Sequence, residues 1–186
     1  GGYYARPGVE INADPLLRRM TTVQAHRGPD SQGHWISRSG AVGLCHTRLA
    51  ILDLSDTGKQ PMHDAQGDLT IVFNGEIFNW QDLRRDLESK GYVFRGHSDT
   101  EVLLSAYRHY GEAVLERLNG MFAFAIYDRR EDVLFCARDR IGKKPLVYAE
   151  SSSGFFFASE IPALLAAPGV DLSPDRSAIA GMLLNN

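Results

Sequence analysis

The segment that most constrains the fold is residues 121–127, Met-Phe-Ala-Phe-Ala-Ile-Tyr. In an extended strand Phe122, Phe124 and Ile126 point one way and Met121, Ala123, Ala125 and Tyr127 the other, so both faces are apolar. Such a strand has to be covered on both sides, which places it inside a layered structure.

The rest of the pattern supplies the layers. Leu16, Leu17, Met20 and Val23 fall near helical spacing in residues 14–26, with Asp14-Pro15 as the start signal and Gly28-Pro29 as the stop. Asn79 is placed to cap a helix whose Trp80, Leu83 and Leu87 share a face. Ser98 and Glu101 form a capping-box pattern ahead of an apolar stripe, Val102, Leu103, Ala106, Tyr107 and Tyr110. A short helix is predicted over residues 113–118. Extended stretches are predicted over 43–54 and 69–73, and residues 121–127, 133–137, 146–149 and 155–158 read as a four-strand antiparallel meander. Helical patterns at both ends and in the middle, around two groups of strands, predict an α+β layered sandwich. Residues 1–171 are expected to form this domain, and residues 172–186, opening with Ser173-Pro174-Asp175, to begin a linker or helix leading to a further domain.

Composition narrows the partners. The 20 Lys+Arg and 23 Asp+Glu give a net charge of −3 and are interspersed along the chain, so neither nucleic acid nor an anionic membrane is expected. No apolar run is long enough to span a bilayer, and no basic flank with an apolar core marks a signal peptide. Cys45 and Cys136 belong to no CxxC pair, which suggests no metal site and no disulfide framework, and a reducing, cytoplasmic compartment.

A few residues could carry chemistry. Asn74-Gly75, between Ile71-Val72-Phe73 and Glu76-Ile77-Phe78, is a strong hairpin signal, and taken alone the hairpin is the favoured reading. The alternative is that a side-chain amide and the next backbone N–H, projecting from a strand end, are two donors aimed at one developing oxyanion. Arg48 is either a surface charge on a strand or a planar fork for a carboxylate. Asp99 either complements the positive end of the helix it opens or receives a substrate ammonium group. Cys45 and His46 are adjacent on a strand, so they face opposite ways and make no working dyad; Cys45 and Cys136 read as structural. His26-Arg27-Gly28-Pro29-Asp30 is explained locally by basic residues at a helix end, a terminating glycine and a proline beyond it.

Five ordered motifs carry a resemblance that spans most of the chain: His26-Arg27-Gly28-Pro29-Asp30, Arg48-Leu49-Ala50-Ile51, Phe73-Asn74-Gly75-Glu76-Ile77, Ser98-Asp99-Thr100-Glu101, and the run from Asp139-Arg140-Ile141-Gly142 to Lys143-Lys144-Pro145-Leu146. Together they resemble the N-terminal glutaminase domain of glutamine-dependent asparagine synthetases, which are class II glutamine amidotransferases. The resemblance implies a four-layer αββα sandwich of the N-terminal nucleophile hydrolase type, with two mainly antiparallel sheets between helix layers. It implies an oxyanion hole at Asn74 and Gly75, an α-carboxylate site at Arg48, and α-ammonium contacts at Glu76 and Asp99. Leu49, Ala50, Ile51 and Leu52 would line the glutamine pocket, largely through backbone.

In that family an N-terminal cysteine attacks the glutamine amide, its own α-amine acting as base, and a glutamyl thioester, ammonia and finally glutamate follow. This chain opens Gly1-Gly2-Tyr3-Tyr4, matching the family pattern just after its cysteine. The expectation is therefore a glutaminase domain whose nucleophile lies upstream and which is inactive without it. Its partners would be L-glutamine and a C-terminal synthetase domain of the same parent chain, with a homodimer left open. No cofactor is expected in this domain; ATP and Mg belong to the synthetase domain. Alternatives are a non-catalytic glutamine-binding module, the glutaminase domain of another class II amidotransferase, and an unrelated α+β protein in which Asn74-Gly75 is only a turn.

Overall fold

A computed structural model describes residues 1–49 and 58–184. Among the described residues nine strands form two antiparallel sheets. The first sheet has the order β2-β3-β1-β9-β8, from Ser31–Ile36, Val42–Arg48, Gly2–Ala5, Gly154–Ala158 and Val147–Glu150. The second has the order β4-β5-β6-β7, from Met62–His63, Leu69–Ile77, Gly120–Asp128 and Val133–Arg138. Helices α1 (Ala13–Val23) and α4 (Ile161–Leu164) cover the first sheet, and α2 (Trp80–Ser89) and α3 (Asp99–Tyr110) the second. This is the four-layer αββα sandwich.

The apolar strand is the axis of the arrangement. Phe122, Phe124 and Ile126 of β6 pack with Leu83, Leu87, Leu103 and Tyr107 of the helix layer. Ala125 and Tyr127, with Val72 beside them on β5, face the other sheet, where Val42, Leu44 and Phe157 meet them. A third core, with Tyr3, Leu17, Met20, Phe156 and Leu164, lies between the first sheet and α1 and α4.

Several local expectations are changed by tertiary context. The first helix ends at Val23, and a separate 3₁₀ turn covers Ala25–Arg27. Residues 111–116 are likewise a 3₁₀ helix. The expected four-strand meander is split: β5, β6 and β7 are consecutive neighbours in one sheet, while β8 and β9 pair in the other. Asn79 does not cap α2 with its side chain; its amide donates to the Arg117 carbonyl at 2.9 Å and accepts from the Asn119 N–H at 2.9 Å. Ser98 does cap α3, accepting from the Thr100 N–H, but Glu101 reaches the N–H groups of Arg95 and Gly96 and leaves the box half made. The last helix, α5 (Arg176–Leu184), buries none of its residues.

Because Phe124 is 2% exposed at the centre of the larger core, Phe124→Ala is expected to cost about 3–5 kcal/mol, cavity included. Urea unfolding of the two proteins followed by circular dichroism measures the difference.

Candidate functional site

β5 runs straight through Asn74-Gly75. Its nine residues pair with β6 without a break, Asn74 opposite Ala123 and Gly75 opposite Phe122. The hairpin reading of Asn74-Gly75 is therefore not realised: the strand that a turn would have ended continues to Ile77, because β6 offers a full-length partner. Gly75 is needed for another reason. It sits at φ 149°, outside the range L-residues favour, and a β-carbon there would be driven into the Met121 carbonyl oxygen.

On the opposite edge β4 pairs only with Thr70 and Ile71. In an antiparallel strand successive residues turn their N–H and C=O to alternate edges, so Phe73, Gly75 and Ile77 face the side β4 has vacated. Side chains take up two of these positions. The Phe73 N–H donates to Gln60 Oε1 at 2.6 Å, and its carbonyl accepts from His46 Nε2 at 3.1 Å. The Ile77 N–H donates to Asp99 Oδ2 at 3.0 Å. Gly75 lies between them.

Asn74 points toward the first sheet, on the same face as Val72. Its Nδ2 is buried without a hydrogen-bond partner, an uncommon state for a native amide. Asn74 also lines a cavity of about 80 Å³. His46, Cys45, Ala123, Pro145 and Gly1 contribute to its walls, so the amino end of β1 opens onto it. There the Gly1 amine donates to the Cys45 carbonyl at 2.9 Å.

The other expected residues approach from separate elements. Arg48 closes β3, opposite Ser31, and its carbonyl accepts the Asp30 N–H at 3.0 Å. Asp99 is the first residue of α3. Burial raises its pKa above the usual carboxylate range, the Ile77 and Thr100 N–H groups pull the other way, and the nearby Glu76 charge adds to the rise. Arg48, Gly75, Glu76 and Asp99 do not line the cavity that Asn74 lines. Leu49 is exposed just past the end of β3, and Ala50, Ile51 and Leu52 lie outside the described residues.

Cys45 and His46 face opposite sides, as their adjacency requires: Cys45 packs with the α1 layer, and His46 crosses to β5 in the other sheet. Burial raises the Cys45 thiol pKa against the pull of the Gly1 ammonium, and burial pushes the Cys136 thiol up to about 12. Both are poor sources of thiolate. Among the described residues no group of three or more His, Cys, Asp or Glu is placed to hold a metal ion.

Two of the five motifs turn out to build the walls. Gly28 has an extended backbone, φ −159°, rather than that of a left-handed cap, and a β-carbon on it would strike the Thr47 backbone. The His26-to-Asp30 run thus lies against β3, Pro29 bridging Arg48, while His26 Nε2 and Arg27 Nη1 both reach Glu160 Oε1 at 3.0 Å. In the second motif, burial opposes ionisation of Asp139, but N–H donors including those of Lys143, Lys144 and Phe122 outweigh it and hold the carboxyl at about 2. That loop delivers Pro145 and Leu146 to the cavity. Asp139 stood out only within the run that carries the family resemblance, His46 only as a rejected partner for Cys45, and Gln60 left no pattern at all.

Two antiparallel sheets between helix layers, with the amino end of one strand opening onto a cavity beside an unpartnered amide, define the N-terminal nucleophile hydrolase type of sandwich. Comparison with known proteins narrows this. The sequence profile of the glutamine amidotransferase domain matches residues 2–186, and the chain belongs to that family. It is 43% identical over 172 residues to a glutamine-hydrolysing asparagine synthetase, number 3, of Bacillus subtilis (strain 168), covering 91% of this chain and 28% of that protein. It is 42% identical over 168 residues to amidase chry2 of Gibberella zeae, covering 89% and 25%. The chain thus spans about a quarter of the length of these relatives. Among solved structures, the glutamine phosphoribosylpyrophosphate amidotransferase of B. subtilis, complexed with ADP and GMP, superposes with a TM-score of 0.75 at 22% identity, over 91% of this chain and 43% of that one. At that identity the likeness shows the fold.

Gly75→Ala is expected to destabilise the protein by more than about 1 kcal/mol, since it combines a disallowed φ with a collision against backbone that β6 holds in place. Thermal melting of the variant checks this.

Proposed function

We propose that the chain is the glutamine-hydrolysing module of an asparagine-synthetase-type enzyme, acting in the cytoplasm and supplying ammonia to a synthetase domain that activates aspartate with ATP. The observation that carries the reading is the buried, unpartnered Asn74 amide beside the cavity where β1 begins. A donor without an acceptor costs stability, about 1–3 kcal/mol, and a substrate oxyanion is the acceptor it would serve.

In this reading L-glutamine binds through Arg48 to its α-carboxylate and through Glu76 and Asp99 to its α-ammonium, with its carboxamide toward Asn74 and Gly75. One anion and one cation on the ligand meet one Arg and two carboxylates. A thiolate delivered at the amino end of β1, ahead of Gly1, bonds to the amide carbon. The carbonyl oxygen takes the negative charge and accepts hydrogen bonds from Asn74 Nδ2 and the Gly75 N–H. The α-amine beside the thiol takes its proton and passes it to the departing nitrogen, so the C–N bond breaks to release ammonia and leave a thioester. Water then frees glutamate and restores the thiol.

Two experiments test this. A chain extended upstream of Gly1 by a short segment that begins with a cysteine should hydrolyse glutamine, and a folded extended chain without glutaminase activity would sink the catalytic reading. Calorimetry on the present chain should show glutamine binding, weakened about 10- to 100-fold by Arg48→Lys or Asp99→Asn, as expected for charge-assisted hydrogen bonds.

The pH dependence follows from Asp99. Its folded-state pKa lies above the ordinary value, so ionising it opposes folding at higher pH, and that cost is relieved as pH falls through the raised pKa. The ligand ammonium needs the ionised form. Glutamine affinity is therefore expected to be constant above the raised pKa and to fall as pH drops through it, while Asp99→Asn removes that dependence.

A further inference from the structure

The proposed amide site needs two donors, Asn74 Nδ2 and the Gly75 N–H, held in register on a strand edge that no strand among the described residues pairs with. Phe73 is the residue just before them, and both its backbone groups on that edge are held by side chains: Gln60 Oε1 takes the N–H at 2.6 Å and His46 Nε2 reaches the carbonyl at 3.1 Å. We propose that Gln60 and His46 are positioning residues that clamp the Phe73 peptide and thereby aim the Asn74 amide and the Gly75 N–H at one substrate oxygen. This rests on the glutaminase reading above.

Three features support the clamp. Its two arms come from different places, Gln60 from the loop ahead of β4 and His46 from β3 of the facing sheet, so the Phe73 peptide is fixed against both sheets. A carbonyl oxygen only accepts, so His46 Nε2 carries the hydrogen; burial foremost depresses the ring's pKa to about 4 despite the Phe73 carbonyl, and His46 is neutral at physiological pH. Gln60 also leads to the other end of the substrate. Its Nε2 lies 3.5 Å from Thr100 Oγ1, and Thr100 follows Asp99, which holds the Ile77 N–H on the same edge. The edge from Phe73 to Ile77 is pinned at both ends, and Gly75 is left between the pins.

A role in aiming donors at the carboxamide predicts a different signature from a role in holding the protein together. L-norvaline keeps the α-carboxylate and α-ammonium of glutamine and replaces the carboxamide by a methyl group. Its affinity reports the charged end of the site, and the ratio of glutamine to norvaline affinity reports the amide end. The two ligands are titrated by calorimetry into the chain and its variants, with folding read from thermal melting. The unaltered chain should prefer glutamine by about tenfold or more. Gln60→Leu and His46→Leu should each remove most of that preference while leaving norvaline affinity within about twofold, and His46→Gln, which restores an amide donor for the Phe73 carbonyl, should keep it.

Folded Leu variants that retain the preference, or that weaken both ligands equally, would overturn the clamp. So would a folded His46→Gln variant that loses the preference as His46→Leu does. Where Gln60→Leu does not fold, the two His46 variants decide; where His46→Leu also fails, His46→Gln decides alone. An unaltered chain that binds neither ligand would overturn the glutaminase reading itself, and the clamp with it.

Discussion

β5 is zipped to β6 along its whole length, from Leu69 opposite Asp128 to Ile77 opposite Gly120, while β4 follows its other edge only as far as Ile71. A strand so held is rigid on one side and, beyond Ile71, unpaired with any strand among the described residues on the other. Open edges ordinarily expose a row of backbone groups to water or to stray chains. Here Gln60, His46 and Asp99 occupy the positions at Phe73 and Ile77. What is left is a short, shielded stretch of edge at Gly75, fixed by the ladder behind it before any ligand arrives. Preorganisation of this kind distinguishes a useful donor from a merely available one. It depends on β6, whose own rigidity comes from being buried on both faces.

The same contact between sheets changes character along its length. In its centre Val42, Leu44, Val72, Ala125 and Phe157 make an apolar seam. Two residues further along β5 and β3 the seam turns polar, with Asn74 and His46 facing each other's sheets. Strand periodicity enforces this placement: Asn74 must point where Val72 points, and His46 where Leu44 points. Polar groups there weaken the packing, and the three apolar cores supply the stability that tolerates it.

This bears on what the sequence could reveal. The layers were legible because amphipathic helices and a two-sided apolar strand leave periodic traces, as Leu83 and Leu87 do on α2 and Phe122, Phe124 and Ile126 on β6. Which strand joined which sheet was not: the break between β7 and β8 is made by a loop organised around the Asp139 carboxylate, an arrangement of backbone donors that no hydrophobic period records. At the site, Asn74-Gly75 was readable as a chemical pair, yet its local signal favoured a hairpin. Tertiary pairing with β6 overrode a strong dipeptide preference, and the need for glycine moved from a turn to a close backbone approach. Gln60 and His46 could not have been found by pattern, since each acts on a backbone group distant in sequence, Phe73, through one side-chain atom.

Two groups are left at odds with their surroundings by folding. Asn74 Nδ2 is a buried donor without an acceptor, and Asp99 is a carboxyl whose charge burial disfavours. A natural core would ordinarily repair such sites, and each has a cheap repair: an apolar side chain of similar size at position 74, an amide at position 99. Both lie within the Phe73-to-Ile77 stretch or hydrogen-bonded to it. A ligand with a carbonyl oxygen at one end and a cationic group at the other would relieve both at once, and an amino acid carrying a side-chain amide has that pattern. The free energy withheld from folding at Asn74 and Asp99 is then available for binding, with the donor's full effect realised only when the carbonyl oxygen becomes an anion.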